Sequence, residues 1–163
     1  SLTFMSDTLD RPNVIPWPPL IYLAAAAVAV VLHLWLPLPW FGGIVQGILM
    51  AIGLCGICTG VALEIVTALT FRRYRTTIWP NRGASQLITE GPFARSRNPI
   101  YAGNTLLMFS VGLLLGVAWF LPAALFAATL VQKLAIEREE RHLAARFGAD
   151  WEAYARKTPR WLW

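Results

Sequence analysis

The chain has 163 residues, 56% of them hydrophobic and 14% charged, with a mean hydropathy of +0.52, the composition of a membrane protein and not of a soluble domain. A net charge of +5 and a pI near 9.8 would suit nucleic acid, but the basic residues cluster beside apolar runs. Positive-inside topology accounts for them, so no nucleic acid partner is expected.

The length fits one domain over residues 1–163. Met5 to Pro19 is a polar, proline-rich lead, expected on the membrane surface with Trp17 at the interface, and no cleavable signal peptide is read there. Leu20 to Leu36 reads as the first span, closed by Pro37 and Pro39. His33, beside Trp35 near the end of that span, reads as interfacial, with a proton carrier or ligand as the alternative.

The second run, Phe41 to Phe71, has Glu64 as its one charge and as a helix would be roughly 45 Å long, so it must tilt or project. Gly43 and Gly47, and Gly56 and Gly60, form small-residue faces through which an oligomer is possible. Cys55 and Cys58 lie in the same run without the setting of a redox pair or further zinc ligands, so they read as packing residues and no metal is expected. Glu64 is expensive in lipid unless it is paired or lines a cavity. It is a candidate site residue, and the alternative is an ion pair with Arg72, Arg73 or Lys133.

The polar stretch up to Asn98 carries Arg72, Arg73, Arg75, Arg82, Arg95 and Arg97, which places it in the cytoplasm. Gly91-Pro92 and Asn98-Pro99 are turn signals, and Pro99 opens a new helix. Arg95 and Arg97 beside that helix start suit a carboxylate or phosphate, or the headgroups of anionic lipids. The third span is expected from Pro99 to Gly116. The fourth runs from Val117 to Glu137 after a turn near Pro122. Past Lys133 the helix becomes amphipathic, with Glu137 and Arg141 as an i,i+4 pair; Gly148 stops it, and Asp150 begins a last helix ending at Pro159. The fold class is therefore an all-α, multi-pass integral membrane protein with about four spans and both termini in the cytoplasm. The Arg95 to Tyr101 turn and the Glu137 to Glu140 carboxylates share one face.

LITEGPF (87–93), SRNPIYAG (96–103) and EREERHLAARFGADWEAYARKTPRW (137–161) resemble, in order and spacing, the membrane S-adenosylmethionine methyltransferases that include isoprenylcysteine carboxyl methyltransferase and the phospholipid N-methyltransferases. The likeness covers about Thr76 to Trp161. It implies a cofactor region at 76–101 and 137–163, with S-adenosylmethionine bound and S-adenosylhomocysteine as product. By the same likeness, Ser85, Gln86, Leu87, Ile88 and Phe93 wall the cofactor. Asn98, Pro99, Ile100 and Tyr101 contact it, and Glu139 holds it near the transferred methyl.

Two departures matter. Asn98 stands where the family has His, so no proton transfer by titration is available there. Ala135 stands where the isoprenylcysteine enzymes have the arginine that binds a substrate carboxylate, leaving Lys133 or Arg138 as the compensating substrate contacts. Glu64, if it faces the same tunnel, would orient a cationic headgroup. The resemblance implies methyl transfer to a lipid or prenylated acceptor, small molecule or protein, reaching the site from the bilayer, either as an isoprenylcysteine-type carboxyl methylation or as phospholipid amine N-methylation. An NADPH-dependent sterol-reductase-like protein and a non-catalytic membrane scaffold are the competing classes, separated by which cofactor binds.

Overall fold

Helix α2 (Gly43–Arg73) is 31 residues long, about 46 Å at the usual rise, and it carries no charge but Glu64 before its last turn. It packs along one neighbour, α3 (Pro99–Leu115). The contact is built on missing side chains. A Cβ on Gly53 would fall 2.7 Å from both the Leu114 amide and the Ser110 carbonyl, and one on Gly60 would fall 2.8 Å from the Leu107 side chain. Gly56 meets Ser110 in the same row. The Gly56–Gly60 face expected to serve an oligomer is therefore used inside the chain, whereas Cβ atoms on Gly43 and Gly47 would meet nothing within 4 Å among the described residues.

The computed structural model describes residues 17–74 and 86–162. On the other side of α3 lie α1 (Trp17–Trp35) and α4 (Phe120–Val131), packed on each other. Small residues, Ala29 of α1 and Ala124 and Ala127 of α4, are fully buried, which allows the backbones to approach closely. Ile21, Tyr22, Met108, Val131, Ala135 and Ile136 complete this core. After α4 the helix continues through a π turn (Gln132–Ile136) into α5 (Glu137–Phe147). Gly148, at φ 53°, then redirects the chain into α6 (Ala149–Lys157).

Helices Pro18–Trp35, Gly43–Arg73 and Phe120–Phe147 are long and apolar enough to cross a membrane, and Pro99–Leu115 is a shorter apolar helix. No strand occurs among the described residues. The first helix starts at Trp17, ahead of the expected Leu20, because prolines fit a first helical turn, where no intrahelical N–H bond is lost. The turn before α4 is made at Gly116, φ 70°, and not at Pro122, which lies inside α4 near its start. Across these loops the Trp119 indole donates to the Leu36 carbonyl at 2.8 Å. The Met5–Pro16 lead and the Arg75–Ser85 stretch lie outside the described residues.

Candidate functional site

The turn before α3 is a short 3₁₀ helix, Gly91–Ala94, begun by Gly91 at φ 61°. Phe93 is buried beneath it, edge-on to Phe71 with ring centroids 5.3 Å apart. The Tyr154 hydroxyl of α6 donates to the Phe93 carbonyl at 2.7 Å; burial pushes that hydroxyl up, so it stays a donor. Ile88, Phe93, Trp151 and Tyr154 thus form a second apolar cluster roofing the helix ends.

The next residues are clamped by the C-terminal segment. The Arg97 amide donates to the Pro159 carbonyl at 2.9 Å, and Asn98 Nδ2 donates to the Arg160 carbonyl at 3.0 Å. Buried Ser96 accepts from the Asn98 amide at 3.1 Å. Asn98, expected at a cofactor contact, therefore uses a side-chain donor to hold the chain's own backbone, and Pro99 is fully buried as the first residue of α3. Glu140 receives Arg97 at 3.2 Å and Arg160 at 2.7 Å, while Arg97 also sits 5.6 Å from the Trp151 ring centroid. The Arg160 guanidinium is pushed further up by its bonds to Glu140. Glu137 pairs with Lys133 at 2.9 Å and faces Arg160 at 4.0 Å, in place of the expected partner Arg141. Lys133 is thereby engaged and largely exposed, and Arg138 is half-buried.

Glu139, one residue before Glu140 and about 100° around the helix from it, faces the other way. Its carboxylate lies within hydrogen-bonding reach of the Tyr101 hydroxyl. Glu139 is itself exposed. Tyr101 is fixed from behind: the Thr105 hydroxyl donates to its carbonyl at 2.8 Å, and the Tyr22 hydroxyl lies 3.2 Å from that carbonyl and 2.6 Å from the Thr105 oxygen.

Tyr101 and Glu139 are therefore brought together, beside Ile100 and the clamped turn. Leu87 and Ile88 pack against the α6 cluster, Gln86 is exposed, and Ser85 lies outside the described residues. Glu64 is not brought to this place. It packs on Gly103, its Cγ 3.0 Å from where a Cβ would stand, and Gly103 lies about 200° around α3 from both Tyr101 and Thr105. Glu64 has no ion pair with Arg72, Arg73 or Lys133, and its Oε1 is buried without a hydrogen-bond partner among the described residues.

Sequence reasoning missed Tyr22, Gln132 and Trp161. The signal for Tyr22 was a phenol within an apolar run, whose hydroxyl needs a partner in lipid. Gln132 is likewise an amide at the end of an apolar stretch, and its Oε1 accepts from the Trp161 indole at 2.9 Å. Between α3 and α4, next to this pair, lies a cavity of about 470 Å³ with no charged residue among the described residues that line it.

A bundle of apolar helices of this length and composition defines a polytopic membrane protein, with Tyr101 and Glu139 brought together where α3 and α5 meet. Its sequence carries the assignment further: the chain belongs to the phospholipid methyltransferase family, whose model matches residues 48–150. It is similar to the cobalt-zinc-cadmium resistance protein CzcN of Cupriavidus metallidurans, 27% identical over 74% of this chain and 51% of that protein. It is also similar to the nickel-cobalt-cadmium resistance protein NccN of Alcaligenes xylosoxydans xylosoxydans, 26% identical over 74% of this chain and 52% of that one. The chain spans about half the length of these curated relatives. No solved structure matches it.

Proposed function

We propose that the protein is an S-adenosylmethionine-dependent methyltransferase whose acceptor is a membrane lipid, its cofactor held between the Gly91–Tyr101 segment and α5 on the cytoplasmic side. The observation that carries this reading is the Tyr101–Glu139 pair where α3 and α5 meet. A carboxylate and a phenol oxygen suit a cationic group, and the cofactor presents both an ammonium and a sulfonium. When bound, the cofactor supplies an electrophilic methyl group on that sulfonium.

The chain's own residues bind, orient and exclude water. Glu139 holds positive charge and Tyr101 fixes its carboxylate. The clamp of Arg97, Glu140 and Arg160 keeps the turn closed on α5. A Glu139 oxygen is also suited to take the proton that an amine acceptor releases. Ala135, which replaces the carboxylate-binding arginine, is fully buried in the core, and Lys133 is engaged by Glu137. An amine headgroup therefore fits better than a prenylcysteine carboxylate. Nothing in this reading uses metal binding.

The test is the thermal unfolding of the detergent-solubilised protein with S-adenosylhomocysteine and, separately, NADPH, since a ligand that binds only the folded state raises the midpoint. A rise with the first alone is expected. A rise with NADPH, or with neither, removes the methyltransferase reading.

A further inference from the structure

Helix α1 lies ahead of residue 48, where the match to the family model begins, and it packs chiefly on α4. Its buried tyrosine is nevertheless spent on α3. The Thr105 hydroxyl has one hydrogen, and it goes to the Tyr101 carbonyl at 2.8 Å. The Tyr22 hydroxyl, 2.6 Å from the Thr105 oxygen, is therefore the donor of that second bond, and it stands 3.2 Å from the same carbonyl. Phenol, alcohol and carbonyl thus form one chain of hydrogen bonds between α1 and α3, in which each bond polarises the next.

Tyr101 is the third residue of α3, in the turn where a helix frays most readily. Its carbonyl is held by this chain of bonds and its hydroxyl reaches Glu139, so the residue is fixed at both ends. The π turn that leads to Glu139 rests on the same part of α1: Ala135 and Ile136 are fully buried in one cluster with Ile21 and Tyr22. Ile136 stands one turn before Glu139 on its helix. The start of α1 thus backs both halves of the pair.

We infer that Tyr22 is a positioning residue of the Tyr101–Glu139 site: its hydroxyl, acting through Thr105 and the Tyr101 carbonyl, sets the Tyr101 phenol against Glu139 for the cationic end of the cofactor. The inference rests on the methyltransferase reading above. A Tyr101 released from this tie has to be ordered when the ligand binds, and that cost appears as lost affinity. Helix α1 therefore contributes to cofactor binding, although Tyr22 acts on the cofactor only through Tyr101.

The experiment is a double-variant cycle read by calorimetric titration of the detergent-solubilised protein with S-adenosylhomocysteine, beside backbone hydrogen exchange of the ligand-free protein. Tyr22→Phe keeps the buried ring and removes the hydroxyl. Affinity should fall about two- to tenfold, the usual worth of one neutral hydrogen bond, and exchange in residues 101–105 should quicken. Thr105→Val should do the same, and Thr105→Ser, which keeps the hydroxyl, should bind as the unsubstituted protein does. In a Tyr101→Phe background, Tyr22→Phe should cost nothing further, because the hydroxyl it positions is gone. A tyrosine that only supports the fold would lower affinity by the same factor in both backgrounds. That additivity, or an unchanged affinity in Tyr22→Phe alone, overturns the inference. If the unsubstituted protein gives no heat with S-adenosylhomocysteine, the methyltransferase reading fails, and exchange alone decides the tie: unchanged rates in Tyr22→Phe remove it, and quickened rates keep Tyr22 as the anchor of Tyr101.

Discussion

Arg160 grips Glu140 with both edges of its guanidinium fork, Nε to Oε1 at 3.1 Å and a terminal nitrogen to Oε2 at 2.7 Å, and the same Oε1 takes Arg97 at 3.2 Å. One carboxylate thus ties the turn before α3, helix α5 and the C-terminal segment together. Its side chain is 13% exposed, against 32% for Arg160. Removing it leaves two facing guanidiniums with nothing between them. Breaking such a partly buried network costs about 2–3 kcal/mol, below the cost for a fully buried pair. Glu140→Ala is expected to lower stability by that amount in denaturant unfolding in detergent, and to weaken S-adenosylhomocysteine binding as the turn loosens. A loss smaller than about 0.5 kcal/mol would make the cluster an ordinary surface feature.

Two glycines in the N-terminal half of α2, six residues apart, should respond oppositely to the same small change. Gly53→Ala drives a Cβ to 2.7 Å from backbone atoms of α3, which cannot yield as a side chain can. A loss of about 1–3 kcal/mol is expected from overpacking. Gly47→Ala meets nothing within 4 Å among the described residues and should be neutral or stabilising by up to about 1 kcal/mol, since alanine is the better helix former. Equal effects at the two positions would contradict the α2–α3 packing. If Gly47→Ala instead shifts the particle size in detergent, then that end of α2 is an interface between copies.

Glu139→Gln and Tyr101→Phe are expected to weaken cofactor binding while leaving ligand-free unfolding nearly unchanged, because Glu139 is exposed and Tyr101→Phe keeps the ring that packs against the core. Loss of a hydrogen bond to a charged group is worth about 1.5–3 kcal/mol, or roughly ten- to a hundredfold in affinity. The loss in Glu139→Gln should be larger for S-adenosylmethionine than for S-adenosylhomocysteine, since only the former carries the sulfonium charge. Calorimetric titration of both ligands separates the two. Unchanged affinities in both variants would remove the pair from the site.

Much of this arrangement was legible in the chain itself. Hydropathy and proline placed the spans to within a few residues, Gly148 marked the end of α5, and the shared face of the Arg95–Tyr101 turn with the Glu137–Glu140 carboxylates appears as the Arg97–Glu140 contact. Local signals failed where a long-range contact decided the outcome. Glu137 had an i,i+4 partner in Arg141, but it takes Lys133 and faces Arg160, which tertiary packing brings near. The motif gives Asn98 as a cofactor contact, and only the fold adds that its side-chain amide donates to the Arg160 carbonyl. Nothing in residues 132–136 announces a π turn; such turns have no compositional signature and are commonly found at functional sites.

Glu64 shows how the period of one helix separates two roles that the sequence could not. Its contact residue Gly103 and the candidate site residue Tyr101 lie on opposite faces of α3, so the carboxylate sits in the α2–α3 seam, with Oε1 buried and without a hydrogen-bond partner among the described residues. An unpaired carboxylate at that depth is a cost of the fold, and removing its charge should relieve it. Glu64→Gln is therefore expected to raise the unfolding midpoint, by an amount on the order of 1 kcal/mol, with S-adenosylhomocysteine affinity unchanged. A bulkier residue at Gly103, such as Gly103→Val, should destabilise by displacing Glu64 from its seat. If Glu64→Gln instead leaves stability and cofactor affinity alone but raises the acceptor's KM, the carboxylate faces the acceptor after all. The seam between α2 and α3 would then be a route from the bilayer.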